Sequence, residues 1–176
     1  MHPQPSRRSP RPMRRRRPRR LRAVLLALLL ASSLPAYAAN EDLPLPRFAS
    51  LRSNEVNLRT GPGTNYPVDW VLTRRAMPVE VLAEFDIWRK VRDWQGTVGW
   101  VHQSMLTGNR TALILASPRV LRSEPGGGRP VARLEPGVIA KLLQCDGEWC
   151  RLEAGSYRGW LKRDEFFGVF PNETVK

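Results

Sequence analysis

The chain has 176 residues and a formal net charge of +13, with two cysteines and two histidines; this length suits one or two domains. Ten of its 29 basic residues are arginines within the first 22 positions, and no acidic residue precedes Glu41, so the other 19 face 16 acidic residues. The body is therefore close to neutral, as an ordinary soluble domain is; with His2 in the basic N-terminal stretch, only His102 and the two cysteines remain for a zinc site, which takes about four ligands, so none is expected.

Residues 1–38 have the layout of an export signal. The basic stretch, from Arg7 to Arg22, is followed by the uncharged apolar run Ala23 to Leu34 and then by Ala36-Tyr37-Ala38, a small-residue pattern that predicts cleavage after Ala38. Twelve helical residues rise about 18 Å, short of a roughly 30 Å hydrocarbon core, so no membrane span is expected. No cysteine lies near the cut to carry a lipid. The arginine run resembles a nucleic-acid arm in charge alone; because it abuts a cleavage site, no nucleic-acid partner is expected. The periplasm is the predicted location, with secretion beyond it as the alternative. The export route and the choice between Met1 and Met13 as start stay open.

Residues 39–50 are proline-rich and read as a leader. From there the chain runs through the same landmarks twice. The first copy has Val56-Asn57-Leu58-Arg59-Thr60-Gly61-Pro62-Gly63, then Tyr66-Pro67-Val68, Pro78-Val79-Glu80-Val81, Trp88-Arg89-Lys90-Val91 and Gly99-Trp100-Val101. The second has Val120-Leu121-Arg122-Ser123-Glu124-Pro125-Gly126, Arg129-Pro130-Val131, Pro136-Gly137-Val138, Trp149-Cys150-Arg151-Leu152 and Gly159-Trp160-Leu161. This order defines two modules, 51–108 and 119–170, with a joint at 109–118 and a tail at 171–176. Short β-branched and aromatic runs bounded by Gly, Pro, Asn and Asp predict strands. Val79 to Phe85 alternates as a strand buried on one face. Gln103 to Leu106 suits one helical turn. The apolar run Ala112-Leu113-Ile114-Leu115 makes the joint a strand, shared or packed between modules, rather than a flexible linker. Asp146-Gly147 marks a tight turn flanked by Cys145 and Cys150, a pair that outside the cytoplasm favours a disulfide over a metal site.

The stretch Glu55-Val56-Asn57-Leu58-Arg59-Thr60-Gly61-Pro62-Gly63-Thr64-Asn65-Tyr66-Pro67-Val68 resembles the opening of bacterial Src homology 3 domains. Glu84 to Val91 and Gly99-Trp100-Val101 are similar to the later strands of that family. The second copy is looser: Val120 replaces Asn57, and the full Gly-Pro-Gly is missing. The resemblance implies an all-β chain of two tandem small SH3-like β-barrels, of the kind used in the envelope to bind peptidoglycan or its stem peptides.

The residues offer little for catalysis. A nucleophile needs a positioned base, and His102 is the one histidine outside the signal. Gly126-Gly127-Gly128 lacks the Lys-Ser or Lys-Thr of a phosphate loop. No enzymatic activity, no cofactor and no metal are expected. The six tryptophans are the richest resource. Trp88, Trp100, Trp149 and Trp160 recur between copies and suit barrel packing, with the Trp100 ring expected to fill the barrel beside Gly99. Trp70 and Trp94 have no tryptophan counterpart. With Tyr66 they are the candidates to line a groove for a peptide or glycan. Arg59, Arg74 and Arg75 are the candidates to pair with ligand carboxylates. The expected role is a non-catalytic binding module for peptidoglycan or a stem or other peptide. The alternative is a protein-protein adaptor for an envelope enzyme, and a peptidoglycan hydrolase-like enzyme is the remote third.

Overall fold

The computed structural model describes residues 43–176. The expected signal peptide lies outside the described residues, as does the first part of the leader. Among the described residues no helix is long and apolar enough to cross a membrane.

Short apolar runs separated by Gly, Pro and Asp cannot sustain a helical period, and they fold as strands. The first copy supplies β1 (Arg47–Leu51), β2 (Glu55–Arg59), β3 (Val68–Thr73), β4 (Pro78–Phe85), β5 (Trp88–Arg92), β6 (Val98–His102) and β7 (Leu106–Thr107). The second supplies β8 (Thr111–Ile114), β9 (Arg119–Glu124), β10 (Gly127–Leu134), β11 (Ile139–Asp146), β12 (Trp149–Ala154), β13 (Tyr157–Lys162) and β14 (Phe166–Phe167). The first sheet has the order β3-β2-β6-β5-β4-β1-β7 and the second β10-β9-β13-β12-β11-β8-β14. These are one topology repeated with every number raised by seven. A single 3-10 turn joins the sixth strand to the seventh in both copies, Gln103–Met105 and Arg163–Glu165. The described residues are thus all-β apart from these turns, in two tandem SH3-like modules.

The first strand begins inside the expected leader, and the joint holds a strand as its apolar run predicts. Residues 47–50 of the leader form most of β1, and the joint's apolar run forms β8. β8 is not shared: it pairs with β11 and β14 of its own sheet. The tail also belongs to the fold. Val175 exchanges backbone hydrogen bonds with Cys145 and is buried in the second core.

Each module has its own aliphatic core. Leu51, Val56, Leu58, Val79, Val81, Val91 and Val101 fill the first; Ile114, Leu121, Leu142, Leu152 and Leu161 are central to the second. The Trp100 ring does not fill the barrel as expected. A Cβ at Gly99 would lie 2.5 Å from Leu58 Cγ, so it is Gly99 that faces the core. Neighbouring strand residues point to opposite faces, and Trp100 accordingly stands outside, half-buried. Gly159 and Trp160 repeat the arrangement, with a Gly159 Cβ only 2.8 Å from the Arg122 carbonyl. The first half of β4 departs from simple alternation because Glu80 is buried too; both Nε and Nη2 of Arg92 donate to its Oε2, at 2.9 and 2.6 Å.

The modules form one compact unit. Phe48 of β1 packs on Phe167 and Phe170, with ring centroids 5.2 and 4.7 Å away, and the Arg110 guanidinium lies over its ring. Ile139 of β11 packs against the first core. The Thr111 hydroxyl donates to the Ala76 carbonyl at 2.7 Å and lies 2.7 Å from the Ser50 hydroxyl, which reaches the Asn109 carbonyl.

Candidate functional site

β3 is an edge strand, hydrogen-bonded only to β2 in its sheet, and four of its six residues in a row, Val68 to Val71, are exposed. Trp70 sits in the middle of this run and is 60% exposed. Across from it, the hairpin between β5 and β6 is held stiff by Asp93. This buried carboxylate accepts backbone N–H bonds from Gln95 and Thr97 at 2.9 and 2.8 Å. The Asp93 N–H donates to the Thr97 carbonyl, leaving a three-residue tip closed by Gly96 in the left-handed region, φ +89°. The tip presents Trp94, 44% exposed. Folding gives two indoles no reason to stay this accessible.

Trp70 and Trp94 line one cleft of about 360 Å³. Its floor includes Leu72 and Met77. Its far wall comes from the second module, Leu113 to Ala116 with Pro136 and Gly137. Arg74 stands where the walls meet: its Nη2 donates to the Gly137 carbonyl across the junction. Other N–H donors of its guanidinium remain for a ligand anion. The cleft thus offers two aromatic faces, aliphatic floor and a guanidinium, a combination suited to a ligand with flat apolar faces and a carboxylate.

Of the six residues singled out in the sequence, the structure brings Trp70, Trp94 and Arg74 to this cleft. The other three lie elsewhere. Arg59 braces the glycine-rich loop, its Nη1 donating to the carbonyls of Thr64 and Tyr66 at 3.3 and 2.7 Å. The Tyr66 ring lies so close over Gly61 that a Cβ there would come within 2.3 Å of it. Both residues therefore close their own loop. The Arg75 backbone is held by Asn54 Oδ1, and its side chain borders a separate hollow with Arg52 and Asn109. The second-module wall was invisible in the sequence because nothing there tells which residues of β8 and the β10–β11 loop meet β3.

His102 is used structurally. Its Nδ1 accepts the Ser104 N–H at 3.2 Å and lies 2.7 Å from the Ser104 hydroxyl, capping the 3-10 turn, and its ring meets Trp88 edge-on. Among the described residues no group of three His, Cys, Asp or Glu is placed to hold a metal ion. Cys145 and Cys150 are joined as a disulfide. They face each other in the β11–β12 ladder, across a turn made by Gly147 and Glu148.

The family profile described as bacterial SH3 domain matches residues 52–108 and again 116–168. A curated relative of Bacillus subtilis (strain 168), named "Putative N-acetylmuramoyl-L-alanine amidase YrvJ", is 23% identical over 128 residues. The match covers 66% of this chain and 24% of the relative, so the chain spans about a quarter of that protein's length. Solved structures of two Trichomonas vaginalis proteins, NlpC2 and NlpC1, match at TM-score 0.34. Their identities are 15% and 16%, with 73% and 74% of this chain and 50% and 49% of theirs covered. An NlpC/P60 family protein from Bacillus cereus ATCC 10987 matches at 0.31 with 14% identity, over 69% of this chain and 56% of its own.

Proposed function

The chain belongs to the bacterial SH3 domain family, in two copies, and from that premise we propose that it is a non-catalytic binding protein of the bacterial envelope whose ligand is peptidoglycan. The observation that carries this reading is the cleft in which Trp70, Trp94 and Arg74 converge under a wall from the second module. Indole faces stack on sugar rings and on apolar side chains. The guanidinium supplies directional donors for the carboxylates that stem peptides carry. Export, as the sequence pattern of residues 1–38 predicts, would bring the protein to where such a ligand is found and so supports this reading. The name of the Bacillus subtilis relative refers to a cell-wall bond, which fits this ligand class.

The test is retention of the full chain on purified sacculi at low salt. Retention is expected, with at least a tenfold loss in a Trp70→Ala/Trp94→Ala double variant that keeps its unfolding midpoint. Equal retention of that variant, or none for the parent, would refute the reading. Zymography with the same protein is expected to show no clearing.

The exposed edge of β3 favours a second reading. Unpaired N–H and C=O groups beside Trp70 and Val71 are a template for an extended peptide. The partner would then be an envelope protein, for which this chain serves as adaptor. Crosslinking in periplasm followed by co-purification separates the two: a single stoichiometric protein partner, with no sacculus retention, would select the adaptor.

A further inference from the structure

The second module carries an anomaly at the start of β9. Strand register equates Arg59 with Arg122, since each pairs with the Trp of its own Gly-Trp strand. Three residues earlier, Val56 of the first module is equated with Arg119 of the second. Val56 is 1% exposed and belongs to the core. Arg119, its side chain one-third exposed, thus stands at the register position where the sister copy has a core valine. The change is not isolated. His102 and Met105 of the first copy correspond to Lys162 and Glu165 of the second, at the end of the sixth strand and in the 3-10 turn.

A simple structural ion pair does not account for this set. Glu165 Oε1 lies 3.7 Å from Arg119 Nη1, beyond hydrogen-bonding distance. Its Oε2 is already engaged by the Lys162 backbone N–H at 3.0 Å. The Arg119 Nε is buried with no partner among the described residues. Lys162 holds its ammonium 5.6 Å from the centre of the Trp149 ring. Arg119, Arg122, Lys162, Trp149 and Glu165 surround one pocket of about 270 Å³. Three cations and one carboxylate leave that pocket with two uncompensated positive charges.

We propose that this pocket is an oxyanion site, taking a carboxylate or phosphate group between Arg119 and Lys162, with Trp149 as its apolar side and the charge of Arg122, whose Nη1 donates to the Gly128 carbonyl at 3.2 Å, at its rim. Charge-assisted hydrogen bonds to such a group supply what Glu165 does not. The pocket shares no residue with the cleft at Trp70 and Trp94, so the proposal stands whether or not sacculi are the ligand there.

The test follows the Trp149 indole N–H by two-dimensional NMR of the full chain, assigned through Trp149→Phe. Inorganic phosphate and acetate are titrated separately, each against sodium chloride of matched ionic strength. A saturable shift in at least one arm is expected, and the arm that saturates identifies phosphate or carboxylate as the preferred group. Arg119→Val restores the side chain that the sister copy carries at this register, so its fold is expected to survive. It should weaken the response at least tenfold, as should Lys162→Gln, while the Trp70 indole signal stays in place. No shift beyond the chloride control in either arm overturns the proposal, and so does an Arg119→Val protein that responds like the parent.

Discussion

The two modules follow one strand order and even bulge at the same point, at Asp69 of β3 opposite Leu58 and Arg59, and at Val131 of β10 opposite Leu121 and Arg122. What they attach to this frame differs. Trp70, the register partner of Leu58, is matched by Ala132, the register partner of Leu121. The first module's β5–β6 hairpin has a three-residue tip carrying Trp94, whereas the β12–β13 hairpin closes over Gly155 and Ser156 alone. The first copy thus places aromatic surface at the junction, and the second contributes the wall against it. A repeated fold becomes a composite site when the copies diverge at outward-facing positions, where the core imposes no choice.

The comparison breaks most completely if the copies are uncoupled. Phe48 and Thr111 occupy equivalent places on β1 and β8, and each reaches into the other module, the phenyl ring to Phe167 and Phe170 and the hydroxyl to Ala76. Phe48→Ala removes a ring that is 7% exposed and should cost about 3–5 kcal/mol. We expect the parent to unfold in one calorimetric transition and the variant in two. An unchanged single transition would mean that the modules are coupled by other contacts.

Next in size is the cross-link. Cys145 and Cys150 take the ladder positions that Glu84 and Arg89 hold in the first module, where Arg89 Nε lies 3.1 Å from Glu84 Oε1. One fold therefore closes the same hairpin in two ways. The cystine is buried in the second core, and closing so short a loop is worth on the order of 2 kcal/mol. A partly exposed ion pair contributes about 1 kcal/mol or less. Denaturant unfolding should show Cys145→Ala/Cys150→Ala as the costlier double variant and Glu84→Gln as the cheaper change. The reverse order would show that the disulfide only staples a hairpin already stable without it.

These pairs also show how far the sequence could be read. Landmarks such as Gly99 with Trp100 and Gly159 with Trp160 recur in order, so two barrels were legible before any coordinate. Which ring faces in was not, because a glycine's inward position is revealed only by the backbone it lets approach. Trp70 and Trp94 stood out because they lack counterparts, but their meeting with Leu113, Ala116 and Gly137 depends on how two modules pack. Arg59 and Tyr66 looked like ligand residues because loop closure by a side chain onto carbonyls leaves no pattern in composition. The Arg119 substitution for valine emerges only once strand register aligns the copies.

A smaller effect separates the modules by pH. The tail after β14 has no counterpart in the first module, and Glu173 fastens it to Arg110 and to the Phe170 N–H. Burial alone would raise the Glu173 pKa; the Arg110 hydrogen bond, the Phe170 N–H and the charges of Arg110 and Arg163 outweigh it and hold the pKa below the ordinary 4.5. A depressed carboxylate pKa gives stability that is present above the unfolded value and is lost as pH falls through the folded one. The unfolding midpoint of the parent should therefore drop more steeply below about pH 4.5 than that of Glu173→Gln. Parallel pH profiles would assign the acid sensitivity to other carboxylates.

The finest contrast is a single methyl group. In the loop before the fourth strand, Ala76 donates its N–H to Leu51 and Gly137 donates to Ile114, so the two positions are equivalent. Both are left-handed, with φ +67° and +84°. An L-residue there is strained by about 1–2 kcal/mol, while glycine adds freedom to the unfolded chain worth about 0.4–1 kcal/mol. The difference predicts that Ala76→Gly stabilises the protein by about 0.5–1 kcal/mol. The opposite exchange, Gly137→Ala, should destabilise it, since its Cβ would also come within 3.3 Å of Arg74 Nη1 at the cleft. If urea midpoints show Ala76→Gly to be destabilising, the first module's loop draws more from that methyl group's packing than it loses to backbone strain, and the two loops are equivalent in geometry but not in energy.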